Sequence, residues 1–186
     1  MARMIAALAT LLLLSACSTS TPLPSYYLLR SDIEEGTRAL QTSAPFALGN
    51  LDIAPYIDQP GMLLETQSGD LRPARFHLWA EPLRDGAETF LLTAISNASG
   101  HDILPWLLNP TATRFDIRID QLHGTYDGKA KLVAHWWLYD GDSAGQVYEY
   151  AGTEALTVDG YGALAKAQQA LLDELAKAVA ATLQPR

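Results

Sequence analysis

The 186-residue chain carries 13 basic and 21 acidic side chains, a formal net charge of -8, 48% hydrophobic residues and a single cysteine. One cysteine cannot pair within the chain, which excludes a disulfide scaffold. The acidic balance argues against sequence-independent nucleic-acid binding, which needs an excess of lysine and arginine to displace counterions from phosphates. The length suits one domain with a full core, and 13 glycines and 10 prolines spread through an apolar-rich sequence speak against disorder and against a repeat.

Arg3 supplies a short positive start, and Met4 to Leu14 form an apolar run. At about 1.5 Å per residue that run reaches only about 16 Å as a helix, roughly half the hydrocarbon thickness of a bilayer, so it is a leader and not a span. Leu14-Ser15-Ala16-Cys17 closes it. These four residues resemble a bacterial lipobox, which implies cleavage after residue 16, thioether lipidation of Cys17 and acylation of the new amino terminus. Each buried methylene contributes about 0.8 kcal/mol, so two or three chains such as palmitate hold a protein durably. Loss of residues 1–16 leaves 12 basic and 21 acidic residues, a formal -9, so the lipid and not surface charge must hold the body at a membrane. Ser18 stands where lipoproteins retained at the inner membrane carry Asp, and the resemblance therefore points to the periplasmic face of the outer membrane. The expected division is a signal peptide at 1–16, the acylated cysteine and a Ser-, Thr- and Pro-rich tether at 17–25, and one domain at 26–186.

Tyr26 to Leu29 reads as a short strand and Ser31 to Ala44 as a polar connection. Phe46, Leu48, Leu51 and Ile53 recur near strand spacing up to Pro55. Met62–Thr66 and Leu71–Trp79 flank Gln67-Ser68-Gly69-Asp70, which reads as a hairpin turn. Pro82 suits a first helical turn, and Leu83, Ala87, Phe90, Leu91, Ala94 and Ile95 give one apolar helix face that should end near Asn97–Gly100. Phe115, Ile117 and Ile119 then alternate with Arg114, Asp116, Arg118 and Asp120, the clearest half-buried strand in the chain. Lys131–Tyr139 and Gln146–Thr157 are strands around a turn at Asp140–Gly145. A last helix, with Asp159 as the expected N-cap, buries Tyr161, Leu164, Leu171, Leu172, Leu175, Val179 and Leu183. Strands then helix, twice over, predict an α+β domain: a largely antiparallel sheet with two main amphipathic helices packed on one face.

No nucleophile elbow, zinc-helix motif or phosphate-cradling loop is present, and lipidation commits the only thiol. His77, His101, His123 and His135 lack metal-ligand spacing; His77 and His135 read as hydrogen-bonding groups on strand faces. Asp140-Gly141-Asp142 resembles the start of a calcium loop, but Ala144 and Ala151 stand where later ligands are needed, so a tight hairpin turn is the better reading. Glu34-Glu35 and Asp173-Glu174 are sequence neighbours that do not face each other on a helix. Trp136-Trp137 sends one indole to each sheet face. The expectation is a protein with no catalytic residue, no metal and no cofactor beyond the lipid on Cys17.

Three segments in order resemble the auxiliary lipoprotein family of ABC-type transport systems, which includes the lipoprotein subunit of the paraquat-inducible MCE transporter. They are Tyr26-Tyr27-Leu28-Leu29, then Ile53-Ala54-Pro55-Tyr56-Ile57-Asp58-Gln59-Pro60, then Phe76-His77-Leu78-Trp79-Ala80-Glu81-Pro82-Leu83 with Asp85-Gly86 at the helix start. Gln59 departs from the family's usual Arg. The resemblance implies a non-catalytic outer-membrane component that works with a permease, an ATPase and an MCE-domain protein to move lipids between membranes and support envelope integrity. It also implies homo-oligomers, with a ring as one form. Tyr56, Asp58, Gln59 and Pro60, with Trp79, Glu81 and Pro82, are then either interface positions or the makers of a strand-to-helix corner. The alternative function is a periplasmic lipoprotein that binds an envelope polymer or assists assembly of another outer-membrane complex.

Overall fold

The computed structural model describes residues 22–31, 37–141 and 143–183. The leader, Cys17, most of the tether and the Glu34-Glu35 pair lie outside the described residues. In chain order the elements are β1 (Ser25–Tyr27), β2 (Phe46–Ile53), β3 (Gly61–Glu65), β4 (Leu71–Trp79), α1 (Leu83–Ser99), β5 (Leu104–Pro105), β6 (Thr113–Gly124), β7 (Lys129–Asp140), β8 (Ser143–Ala155) and α2 (Tyr161–Thr182).

The alternating segment becomes β6, the strand around which the sheet is arranged. β7 pairs antiparallel with it from Phe115 to Gly124, and β8 pairs antiparallel with β7. A strand has two edges, so the other neighbours of β6 share the remaining one. β2 runs parallel along its first part, and β3 meets its end at the Leu64–Gly124 bridge. β5 lies outside β2, β4 lies antiparallel outside β3, and β1 runs parallel outside β4. β1 and β5 therefore occupy one flank of the eight-stranded sheet, and β8 is the opposite margin.

The α+β class is as the sequence predicts, and the two longest ladders are antiparallel. The sheet as a whole is mixed, because β2 and β6 are joined through α1, and a helical crossover allows parallel pairing where a tight hairpin does not. Both helices pack against each other and against one sheet face. The buried residues Phe90, Leu91 and Ile95 of α1 and Leu172, Leu175 and Val179 of α2 form one core with Phe115, Ile117, Ile119, Leu132 and Trp136. Trp136 stacks on Tyr148 and donates its Nε1–H to Thr182 Oγ1 at 3.0 Å, while Trp137 is half-buried on the other sheet face. No described helix is long and apolar enough to cross a membrane.

Helix ends follow backbone needs. α1 stops at Gly100, whose φ of 72° lets its N–H return to Ser96 O. At α2 the expected cap is displaced: Gly160, with φ 113°, holds the N-cap position and no side chain caps the helix. The chain enters through a backbone conformation that Asp159 cannot supply without strain, so glycine takes the boundary.

Candidate interaction site

The structure brings the two motif segments together at one corner. Ile57 is buried and pins the loop after β2, where its N–H and that of Asp58 both reach Ala54 O, at 2.9 and 3.3 Å. Trp79 N–H donates to Pro60 O at 2.8 Å, and Ala80 N–H donates to Tyr27 O at 2.8 Å, so loop, β4 and β1 meet at the start of α1. Gln59 bonds back to Tyr56 O at 2.7 Å, and Tyr56 donates its hydroxyl to Asp120 O at 2.8 Å. Burial followed by the charge of Asp120 raises the Tyr56 pKa, keeping it protonated as a donor.

Charges lock the same corner. Arg84 of α1 donates to Leu51 O at 2.6 Å and approaches Asp58 Oδ2 at 3.4 Å. Arg30 grips Glu81 through both carboxylate oxygens and donates to Leu29 O at 2.6 Å. The hydrogen bond from Arg30 is the main reason that the Glu81 pKa falls. A side chain at Gly86 would approach Glu81 Oε1 to 2.9 Å, so glycine gives the pair its room. Trp79 is packed in the core and Pro82 sits at the N-cap of α1. Tyr56, Asp58, Pro60 and Pro82 face solvent, and Gln59 and Glu81 are half-buried.

A second cluster, which motif reading misses, occupies the sheet face away from the helices. Asp116 is only 4% exposed and accepts from Arg114 Nε and Nη2 at 2.8 and 2.7 Å, from Asn50 N–H at 2.9 Å and from the Tyr139 hydroxyl at 3.0 Å. The guanidinium also lies over the rings of Trp106 and Tyr139, at 5.7 and 4.7 Å. Beside it His135 bridges two strands, with Nδ1 on Asp120 at 2.7 Å and Nε2 on Glu149 at 2.9 Å. The bond to Asp120 is the largest cause of its raised pKa; burial opposes it and Glu149 assists. Burial disfavours the charged form of Asp120, but hydrogen bonds from Arg118 and His135 outweigh it and lower the carboxyl pKa. The opposite charges two apart along β6 are the sequence signal of this network.

The arrangement holds no nucleophile poised beside a free base, since both nitrogens of His135 and both oxygens of Asp116 are engaged. It is a helix-backed mixed sheet with a braced corner and an outer face whose charged groups are paired with one another. The family model for the ABC-type transport auxiliary lipoprotein component matches residues 26–180, and the chain belongs to that family. It is therefore a lipoprotein component auxiliary to ABC-type transport. Its fold is similar to the crystal structure of an uncharacterised protein, with a TM-score of 0.74, 18% identity, and coverage of 88% of this chain and 100% of the other. A Xanthomonas campestris protein of the DUF330 family is similar at a TM-score of 0.66 and 15% identity, covering 83% and 92%. The PelC dodecamer from Paraburkholderia phytofirmans aligns at a TM-score of 0.41 and 13% identity, covering 77% and 93%. No curated protein matches the chain.

Proposed function

We propose that the protein is a non-catalytic subunit of an MCE-type ABC system that moves lipids between membranes, acylated at Cys17 and held on the periplasmic face of the outer membrane. The carrying observation is the family match over residues 26–180, which begins nine positions on from the cysteine of the lipobox Leu14-Ser15-Ala16-Cys17. The self-neutralised polar clusters support a body that acts through shape and surface contact and not through chemistry of its own. Its partner is an MCE-domain protein, and its own copies associate into an oligomer, with a ring as the form suited to a periplasmic conduit. The solvent-facing residues of the corner, Tyr56, Asp58 and Pro60, are offered as contact positions, with Trp79, Glu81 and Pro82 as the frame that holds them.

Affinity purification of the full chain from detergent-solubilised envelopes should recover an MCE-domain protein, and mass spectrometry should find residues 1–16 removed and Cys17 carrying a diacylglyceryl group and an amide-linked acyl chain. Repeated recovery of no such partner, or a bare thiol, sinks the reading.

A further inference from the structure

The long margin of the sheet is where the fold leaves backbone hydrogen bonds unmade. β8 runs for 13 residues, and among the described residues its backbone pairs with β7 alone. The N–H and C=O groups on its outer side therefore point away from the sheet along the strand. Edges of this length are guarded in folded proteins by proline, by lysine or by a covering segment, and Ser143–Ala155 contains neither residue. Val147 is 59% exposed on the outer sheet face beside Trp137. Tyr148 and Tyr150 are half-buried on the helix side, where Tyr148 stacks on Trp136. The Tyr150 hydroxyl lies over Gly152, where a Cβ would approach it to 2.5 Å.

Length and guard residues decide what can cover such an edge. On the opposite flank β1 has three residues, and β5 has two and ends in Pro105. β4 is free of β1 only from Leu71 to Phe76, where Pro73 has no N–H to offer and Arg72 and Arg75 flank it. Leu51 O of β2 is already taken by Arg84. Among the described residues, the edge that matches β8 in length is β8 itself. We infer that β8 pairs antiparallel with β8 of a second copy about a two-fold axis, joining two eight-stranded sheets into one. This rests on the self-association proposed above and names the surface that carries it.

The side chains select the register. A two-fold axis perpendicular to the sheet sets residues of the same face opposite each other. An axis at Glu149 would place two carboxylates face to face, which is unfavourable. An axis at Tyr150 keeps Gly145–Ala155 paired and sets Glu149 against the partner's Ala151, Val147 against the partner's Thr153 and Gln146 against the partner's Glu154. On the helix side it sets Tyr148 opposite the partner's Gly152, so Tyr148 and Tyr150 of both copies form one aromatic row across the seam. Glu149 keeps its bond from His135 Nε2 at 2.9 Å, which offsets its charge. A two-fold contact closes on itself, so a ring built from such pairs needs a second interface and holds an even number of copies.

The test uses the full, naturally acylated chain. Val147→Cys and Thr153→Cys in one chain lie about 20 Å apart along their own strand and cannot join within it, but they stand directly opposite across the axis. Oxidation in native envelopes should turn the double variant into a covalent dimer on non-reducing gels, and neither single variant should give one. Sedimentation in density-matched detergent should show wild type as two copies or a multiple of two. Ala151→Glu, at an exposed position opposite the partner's Glu149, should weaken association about tenfold, because the like-charge contact occurs twice per pair. Ala151→Lys should tighten it, with circular dichroism reporting the fold of each variant. No disulfide in the double variant, equal cross-linking by a single one, or an assembly indifferent to both charges overturns the β8 pairing while self-association stands. A strict monomer overturns self-association as well, and recovery of the MCE-domain protein from that same preparation keeps the transport reading standing.

Discussion

Gly49 shows how much one missing methyl group can decide. β2 bulges between Leu48 and Leu51, and a Cβ built on Gly49 would lie 2.1 Å from Arg114 Nε and 2.2 Å from Asp116 Oδ1. Gly49→Ala must therefore displace a nearly buried carboxylate from its guanidinium. Breaking such a pair from one side costs about 2 to 3 kcal/mol after allowance for the partial exposure of Arg114. Urea unfolding should show that loss, with the m-value unchanged; a variant as stable as wild type would mean the pair can relax without cost. His135 offers a pH-dependent counterpart. Its folded-state pKa lies above the ordinary histidine value, so its contribution is full below about pH 6.5 and is lost as pH rises through the folded value. Asp120 behaves oppositely, contributing above about pH 3.9 and losing that stability as pH falls through its lowered value. Thermal melts should show wild type losing part of its advantage over His135→Gln between pH 6 and 8. Parallel curves for the two proteins would remove the His135 bridge from the stability account.

At the scale of elements, the helix α2 carries the largest continuous apolar stripe, and Leu172 is fully buried against the sheet. Leu172→Ala should cost about 3 kcal/mol, because the removed methyls leave a cavity that a packed sheet and helix cannot fill, whereas Lys166→Ala on the exposed face should stay within about 0.5 kcal/mol. Equal effects at the two positions, measured by chemical denaturation, would contradict the packing described. Period told these elements in advance: the two-residue alternation of Phe115, Ile117 and Ile119 and the three-and-four spacing of Leu171, Leu172, Leu175 and Val179 are local patterns. The parallel pairing of β2 with β6 has no local signature, since it joins residues far apart in the chain. The corner was legible because Tyr56–Pro60 and Trp79–Pro82 are distinctive in order. The Arg114–Asp116–Tyr139 cluster was not, because alternating charges on a strand look like any solvated face until the β2 bulge covers one of them.

For the whole molecule, an acidic body must be held at a membrane by something other than its charge. Replacing residues 1–17 with a secretory leader that lacks a lipobox should move the mature body from the membrane pellet to the soluble fraction without altering its circular dichroism or melting temperature. Persistence in the pellet would show that the folded body binds by itself. The β8 margin, thirteen residues long and paired among the described residues with β7 alone, lies on the flank away from β1. A strand of that length without lysine or proline is an invitation to pair with another chain, and it marks the surface to watch in any assembly of several copies.

The shared edge of β6 also governs the order in which the structure can be completed. A chain that emerges amino terminus first presents β2, β3 and β4 long before the strand that unites them. Only β3 and β4 can close on each other by a hairpin turn. β2 must wait until residues 113–119 have emerged, with Phe46, Leu48, Leu51 and Ile53 uncovered in the meantime. Long-range pairing of this kind is slow and exposes sticky surface while it waits. Maturation of this protein after translocation should therefore depend on a periplasmic holding chaperone, and a stall before residue 113 should yield aggregates rather than a folded half.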